Sequence, residues 1–373
     1  MRTIRQGDAG EAVRDIQHRL LGLSYRIDAD ELEGRFGPST ERVVRAFQQA
    51  RGLPADGLVG PDTWGQLVEA GYRLGDRVLY LRSPAFRGDD VRELQQRLNG
   101  LGFDTGREDG IFGNATQVAV LEFQRNVGEQ PDAIVGAGTV ESLLRIRSSV
   151  EGPSRAVVRE AEAMRRMTGS LAGCRVAVDP GHGPDERGNA GPGGVVEGEA
   201  TVLLAQALVE ELARRGAVPT LLRGPDEDPA PSERARVANE LHADVCVSIH
   251  LGGGDPETRG AICSFFGTTQ THSPAGQRLA EIVCEELAER VGVRDVAAQR
   301  LAVAMLRETR MPAVQVEPCF VTNPDDEALV TDPSWRRRVA AAVADAVQRF
   351  VEGGAGEDEP RELDPAEERA TSR

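Results

Sequence analysis

Val176-Ala177-Val178-Asp179-Pro180-Gly181-His182-Gly183 decides the reading of the C-terminal half of this chain. An apolar run that enters a Pro/Gly turn describes a buried strand releasing a histidine at its end. The pattern returns in Ala243-Asp244-Val245-Cys246-Val247-Ser248-Ile249-His250 and in Pro312-Ala313-Val314-Gln315-Val316-Glu317. Glu197 opens a helix-like stretch directly after the glycine-rich Gly191-Pro192-Gly193-Gly194. Strand ends and helix starts beside glycine turns are where α/β folds present side chains to a ligand. Two histidines and one carboxylate leave a fourth zinc position open for water, and a second carboxylate can take and return that water's proton.

Outward from these runs, strands alternate with amphipathic helices between Cys174 and Val351. Strands are expected at Arg175–Val178, Val218–Leu222, Val245–His250, Ala261–Phe266 and Ala313–Val316, with helices at about 198–215, 231–241, 273–291, 297–309 and 333–351. This predicts an α/β domain with a mostly parallel sheet flanked by helices.

The first 146 residues hold an internal repeat. Val13, Ile16-Gln17, Leu20 and Leu23 return as Val91, Leu94-Gln95, Leu98 and Leu101. Glu33-Gly34-Arg35-Phe36-Gly37 with Thr40 returns as Asp109-Gly110-Ile111-Phe112-Gly113 with Thr116. Phe47-Gln48 returns as Phe123-Gln124, and Asp56, Gly60 and Thr63 return as Asp132, Gly136 and Thr139. A period of roughly 76 residues with apolar positions at 3–4 spacing predicts two small all-α modules of three helices each. The expected division is 1–76 and 77–147 for the modules, 148–173 for a junction with a helix from about Arg155 to Met167, 174–352 for the α/β domain and 353–373 for an acidic tail. The tail is poor in apolar residues and is expected to be disordered. It is either a solubilising end or a site of phosphorylation at Thr371, which lies between arginines on an exposed terminus.

A formal net charge of -16 excludes a general affinity for nucleic acid or anionic lipid. No run approaches the roughly 18–20 apolar residues of a membrane span. Met1 leads directly into a folded pattern without a charged and then apolar leader, which predicts a cytoplasmic location, or the cell wall if an export signal precedes this start. The five cysteines are odd in number and lie in the C-terminal half, as reduced buried thiols would.

The two modules resemble the peptidoglycan-binding-like domain attached to many cell-wall hydrolases, through the Leu-Gln and Phe-Gln helices, the Asp/Glu-Gly-x-Phe-Gly-x-x-Thr turn and Asp56-Gly57-x-x-Gly60-x-x-Thr63-Trp64. The second copy lacks the tryptophan and carries Ala133 in place of Gly57. The alternative is a structural spacer, since these motif residues are mostly of the kind that builds a fold.

The C-terminal domain resembles the zinc-dependent N-acetylmuramoyl-L-alanine amidases of the Amidase_3 family. The matching stretches are Val178–Gly183, Gly194–Glu197, Ser232-Glu233-Arg234 with Ala238-Asn239, Ala243–His250, Arg259-Gly260-Ala261 and Met311–Pro324. The resemblance implies that His182, Glu197 and His250 are zinc ligands and that Glu317 is the general base and acid. It implies hydrolysis of the amide between N-acetylmuramic acid and L-alanine, with peptidoglycan or its precursors as partner. Asp179 and Ser248 adjoin the ligands and are candidates for supporting them or forming the turns. His18, His242 and His272 lie outside the motifs.

The sequence departs from the family at three places. Pro318-Cys319 fills a turn where a glycine is usual, and Pro184 follows the His182 turn in place of a glycine. Leu251-Gly252-Gly253-Gly254-Asp255 replaces the usual run after the second histidine. Cys319 is a packing residue or a thiol beside the zinc. Two modules, no signal sequence and a threonine near an acidic end also resemble actinobacterial amidase-like regulators of precursor synthesis. That resemblance implies a cytosolic wall-synthesis enzyme or a flippase complex as partner.

Overall fold

The computed structural model describes residues 3–146, 160, 164, 169–268, 271–294 and 296–353. Most of the expected junction helix, and the tail beyond Gly353 with Thr371, lie outside the described residues. The chain forms two compact units. One comprises Met1–Arg159 with Phe266–His272 and Arg300–Arg310, and the other comprises Glu160–Phe265, Ser273–Gln299 and Met311–Arg373.

The first unit holds two three-helix modules: α1 (Glu11–Gly22), α2 (Pro38–Arg51) and α3 (Pro61–Glu69), then α4 (Asp89–Gly100), α5 (Asn114–Val127) and α6 (Ala137–Arg145). Each has its own small core, around Ile16, Leu20, Phe36 and Phe47 in the first and Leu94, Leu98, Phe112 and Phe123 in the second. A few buried side chains cannot order long turns by apolar contact alone, and the repeated glutamines do the rest. Gln17 Nε2 donates to the carbonyls of Glu31 and Arg35 and to Thr40 Oγ1, while its Oε1 accepts from the Gly34 amide. Gln95 does the same with Asp109, Ile111, Thr116 and Gly110. Gln48 brackets Asp56, Leu58, Thr63 and Gly57, and Gln124 brackets Asp132, Ile134, Thr139 and Ala133. One buried amide thus satisfies the polar groups of one turn, four times over. Gly57 has φ +76°, and Ala133 takes φ +62° at the matching turn, where a Cβ is strained.

In the second unit the sheet order is β2-β1-β3-β6-β4-β5. Its strands are β1 (Arg175–Pro180), β2 (Val218–Leu221), β3 (Val245–Ile249), β4 (Ala261–Phe266), β5 (Val296–Leu301) and β6 (Ala313–Glu317). β1 pairs in parallel with β2 and β3, and β3 with β6, whereas β4 runs antiparallel to β6. The expected helix at 297–309 is therefore corrected: the chain forms strand β5 and only a short helix α10 (Ala304–Glu308). Ladder bonding at a sheet edge overrides the helical propensity of this Ala/Gln/Arg/Leu segment, a tertiary effect that local sequence does not carry.

The remaining helices are α7 (Glu197–Arg214), α8 (Pro231–Glu240), α9 (Pro274–Glu286), α11 (Pro324–Thr331) and α12 (Pro333–Gly353). α7 packs on β1 and α12, and α9 on β6 and α12. Val176, Val178, Val247, Val314, Leu204, Leu208, Val343 and Phe350 share this core, together with Trp335. No helix among the described residues is long and apolar enough to cross a membrane.

Candidate active site

The parallel order β1-β3-β6 brings three strand ends side by side. Asp179 and Pro180 register with Ser248 and Ile249, and Ile249 registers with Val316. His182, His250 and Glu317 follow at those ends, with the His250 amide bonded to the Val316 carbonyl at 2.9 Å. Glu197 is the first residue of α7, and its carboxylate is 1% exposed. Its Oε1 lies 3.2 Å from His182 Nε2 and 3.1 Å from His250 Nδ1. The three side chains offer donor atoms within 4.8 Å of one another. Ligand atoms sharing one tetrahedral zinc ion stand roughly 3.3 Å apart, given bonds of about 2.0–2.1 Å. The donor set and its spacing therefore fit zinc.

Burial pushes the Glu197 carboxyl upward, but hydrogen bonds from His182 and His250 and their charge overcome this and hold it well below the usual carboxylate range. Burial lowers His250, and the hydrogen bond to Glu197 with the charges of Glu197, Glu317 and Asp179 lifts it above its ordinary value. Glu317 is raised, first by burial and then by the charge of Glu197, against the lowering pull of His250 and Gln315. Gln315 Nε2 donates to Glu317 Oε1 at 3.0 Å, which fixes one carboxylate oxygen. A raised pKa makes this carboxylate a stronger base than an ordinary glutamate.

Residues 176–349 match the N-acetylmuramoyl-L-alanine amidase family, and residues 9–67 and 87–143 match the peptidoglycan binding domain. Over 362 residues the chain is 37% identical to the N-acetylmuramoyl-L-alanine amidase CwlM of Mycobacterium tuberculosis, across 93% of this chain and 89% of that one. The chain belongs to the N-acetylmuramoyl-L-alanine amidases. It is 27% identical over 234 residues to the amidase LytC of Bacillus subtilis, across 63% of this chain and 45% of LytC. The solved structure of the amidase Ami1 from Mycobacterium smegmatis is 27% identical, covers 49% of this chain and 98% of its own, and has a TM-score of 0.45.

The amidase builds its site on a buried polar floor. Ser248 Oγ donates to Asp179 Oδ2 at 2.6 Å, and Arg234 lies 3.3 Å from Asp179 Oδ1. Arg234 also donates to the carbonyls of Pro180 and His182. Arg223, 1% exposed, donates to the carbonyls of Pro180, Gly181 and Gly198. These guanidiniums pin a turn in which His182 takes φ +60°, a conformation a non-glycine residue keeps only when its surroundings impose it. Asp179 and Ser248 thus support the turn.

Two further residues were not legible as site residues. Asn189 donates from its backbone and its side chain to Glu197 Oε2, at 2.8 and 2.9 Å, and its amide also reaches the Leu251 carbonyl. Glu327 accepts from the amides of Gly193 and Val195, at 2.6 and 2.9 Å, and so secures the loop that leads into α7. Asn323-Pro324, an N-cap followed by proline, is the signal that could have placed α11, whose first turn carries Glu327, but nothing in the sequence points to the loop it holds. Two of the three departures from the family also find their reasons, and nothing in the structure explains Pro184. A Cβ at Gly252 would stand 2.6 Å from the Phe320 ring, and one at Gly253 would strike the Asn189 amide. Gly253 therefore makes room for the side chain that holds Glu197, and Gly252 makes room for Phe320. Cys319 is buried in the core and is not among the left-handed residues, so its turn needs no glycine. Its thiol is pushed well up, first by burial. His18 and His242 are exposed and lie outside the cluster.

Proposed function

We propose that this protein hydrolyses the amide joining N-acetylmuramic acid to L-alanine in peptidoglycan, with zinc held by His182, Glu197 and His250 and with Glu317 as general base and acid. The observation that carries the reading is the His182–Glu197–His250 cluster, with His182, His250 and Glu317 following three adjacent strand ends and Glu197 opening α7. A bound zinc ion would lower the pKa of water toward about 7 and polarise the scissile carbonyl. Glu317 would accept a proton from the attacking water and pass it to the departing alanine amine, which would otherwise leave as a poor anionic group. Its raised pKa favours acceptance of that proton. Gln315 orients the carboxylate, and Asn189 holds Glu197 so that the two histidines meet one oxygen.

The domain division proposed with this reading is 1–76 and 77–147 for two modules that hold the wall polymer, and 174–352 for the hydrolase. Neither the fold nor the relatives favour the regulatory alternative over hydrolysis, and its Thr371 switch falls outside the described residues. The test is release of L-alanyl peptides from defined muropeptides by the zinc-loaded full chain. Zinc-dependent release is expected. Stoichiometric zinc without release would overturn the reading.

A further inference from the structure

Within the first unit, the two modules and Thr268 line a half-open cavity of about 640 Å³. Tyr25, Phe47 and Arg51 line it from the first module, and Asp89, Arg92 and Arg97 from the second. Arg51 grips Asp89 through both nitrogens, at 2.6 and 2.7 Å, and Arg92 reaches the same carboxylate at 2.7 Å. Arg97 is paired with Glu93, also in the lining. Two carboxylates therefore face three guanidiniums, a local surplus of positive charge on a chain whose net charge is -16. Burial chiefly lowers the Arg92 pKa, with the charges of Arg51 and Arg307 adding to it against the pull of Asp89 and Glu69.

The repeat supplies a second, independent observation. Tyr25 and Phe47 form an edge-on ring pair at 6.2 Å, and Phe103 and Phe123 form its counterpart at 5.5 Å. The second copy thus has Phe103 where the first has Tyr25, and Val127 where the first has Arg51. Relative to the second copy, Tyr25 and Arg51 add polarity at positions of the first copy that line the cavity. Neither is needed for the module fold, because the second copy folds without them.

We propose that this cavity binds an anionic saccharide, with its acid group received by Arg51 and Arg92 and a sugar ring placed against Tyr25. A cavity of this size suits a ligand of one to a few rings. An acid on a sugar can exchange with Asp89 for the guanidiniums, since charge-assisted, forked contacts are the strong ones. The proposal deepens the reading that the modules hold wall polymer and rests on it, the free muramic acid carboxylate being the group that amide hydrolysis exposes.

The test is calorimetric titration of the full chain with N-acetylmuramic acid, N-acetylglucosamine 1-phosphate and neutral N-acetylglucosamine. At least one acid should bind about ten-fold more tightly than the neutral sugar, and the tighter of the two identifies the group recognised as carboxylate or phosphate. Arg51→Gln and Tyr25→Phe should each weaken that acid by about five-fold or more. Tyr25→Phe installs the residue of the second copy and so leaves the fold intact. Equal affinity for charged and neutral sugars, no binding, or an affinity unchanged in both variants would overturn the site and leave the arginines as a clasp between modules. Sedimentation with intact sacculi separates the two levels. Retained sacculus binding with no acid binding overturns this site alone, whereas loss of both removes the wall-polymer reading as well.

Discussion

The motif residues of the two halves serve opposite ends. In the modules, the repeated Gln17, Gln48, Gln95 and Gln124 are buried, and their amides are spent on the turns that contain the repeated Gly and Thr positions. In the hydrolase unit, the motif residues His182, Glu197 and His250 stand at strand and helix ends with their donor atoms turned toward one another. A recurring motif therefore marks a fold in one half and a site in the other. What separates the two cases is whether a polar side chain completes a backbone turn or converges with other titratable groups. The modules' ligand chemistry then has to be sought where the copies differ, as at Tyr25 and Arg51, rather than where they agree.

The sharpest way to break this comparison is at the cluster. His182→Ala or His250→Ala should abolish stoichiometric zinc binding and turnover together, read by metal analysis of the purified full chain. Zinc retained at full occupancy would show that the ion sits elsewhere. A smaller effect is expected from Asn189→Ala, which frees Glu197 Oε2: zinc affinity should fall about 10–100-fold by competition with a chelator. An unchanged affinity would reduce Asn189 to a loop residue.

On the module side, Gln48→Ala leaves the turn at Asp56–Thr63 without its bracket and should destabilise the first module by about 2–3 kcal/mol while zinc content stays the same. Hydrogen exchange of peptides from α2, compared with α5 in the same sample, measures this. Glu31 sharpens the contrast between copies. Its carboxylate accepts from the amides of Ser39 and Thr40 at 2.9 and 2.7 Å at the start of α2, and the second copy has Arg107 at the matching place. Burial raises the Glu31 pKa, but bonds from Thr40 and the amides of Ser39, Thr40 and Gly37 bring it below its ordinary value. The stability it contributes is therefore full above its unfolded value of about 4.3 and is lost as pH falls through the lower folded value. Glu31→Gln should weaken α2 protection by about 1 kcal/mol at pH 7 and remove that acid-side decline, leaving α5 unaffected. The smallest change is Ala133→Gly, which relieves a left-handed alanine and should stabilise the second module by about 1 kcal/mol. A loss of stability there would mean that the Ala133 methyl packs more than it strains.

Much of this was legible because it depends on local pattern. The apolar runs before His182, His250 and Glu317 located β1, β3 and β6, and the repeat of Leu-Gln and Phe-Gln located both modules. The pairing of β5 with the sheet edge was not legible, since the segment's helical propensity is local and the ladder is not. Asn189 and Glu327 were missed for a related reason. Glu327 reaches Gly193 across 134 positions, Asn189 meets Glu197 from the loop before α7, and neither sits in a recognisable motif. Arg234 was noticed as part of a motif, but its task of holding the carbonyls of Pro180 and His182 required the fold.

The most direct test sets Glu317→Ala beside Gln124→Ala in the full chain, measuring muropeptide hydrolysis per zinc-loaded molecule and local stability of the second module in the same preparations. The account predicts that Glu317→Ala lowers turnover by about 10²–10⁴-fold with stability and zinc unchanged, and that Gln124→Ala lowers module stability with turnover per zinc unchanged on a soluble muropeptide. Full turnover in Glu317→Ala, or lost turnover in Gln124→Ala with its zinc intact, would contradict it.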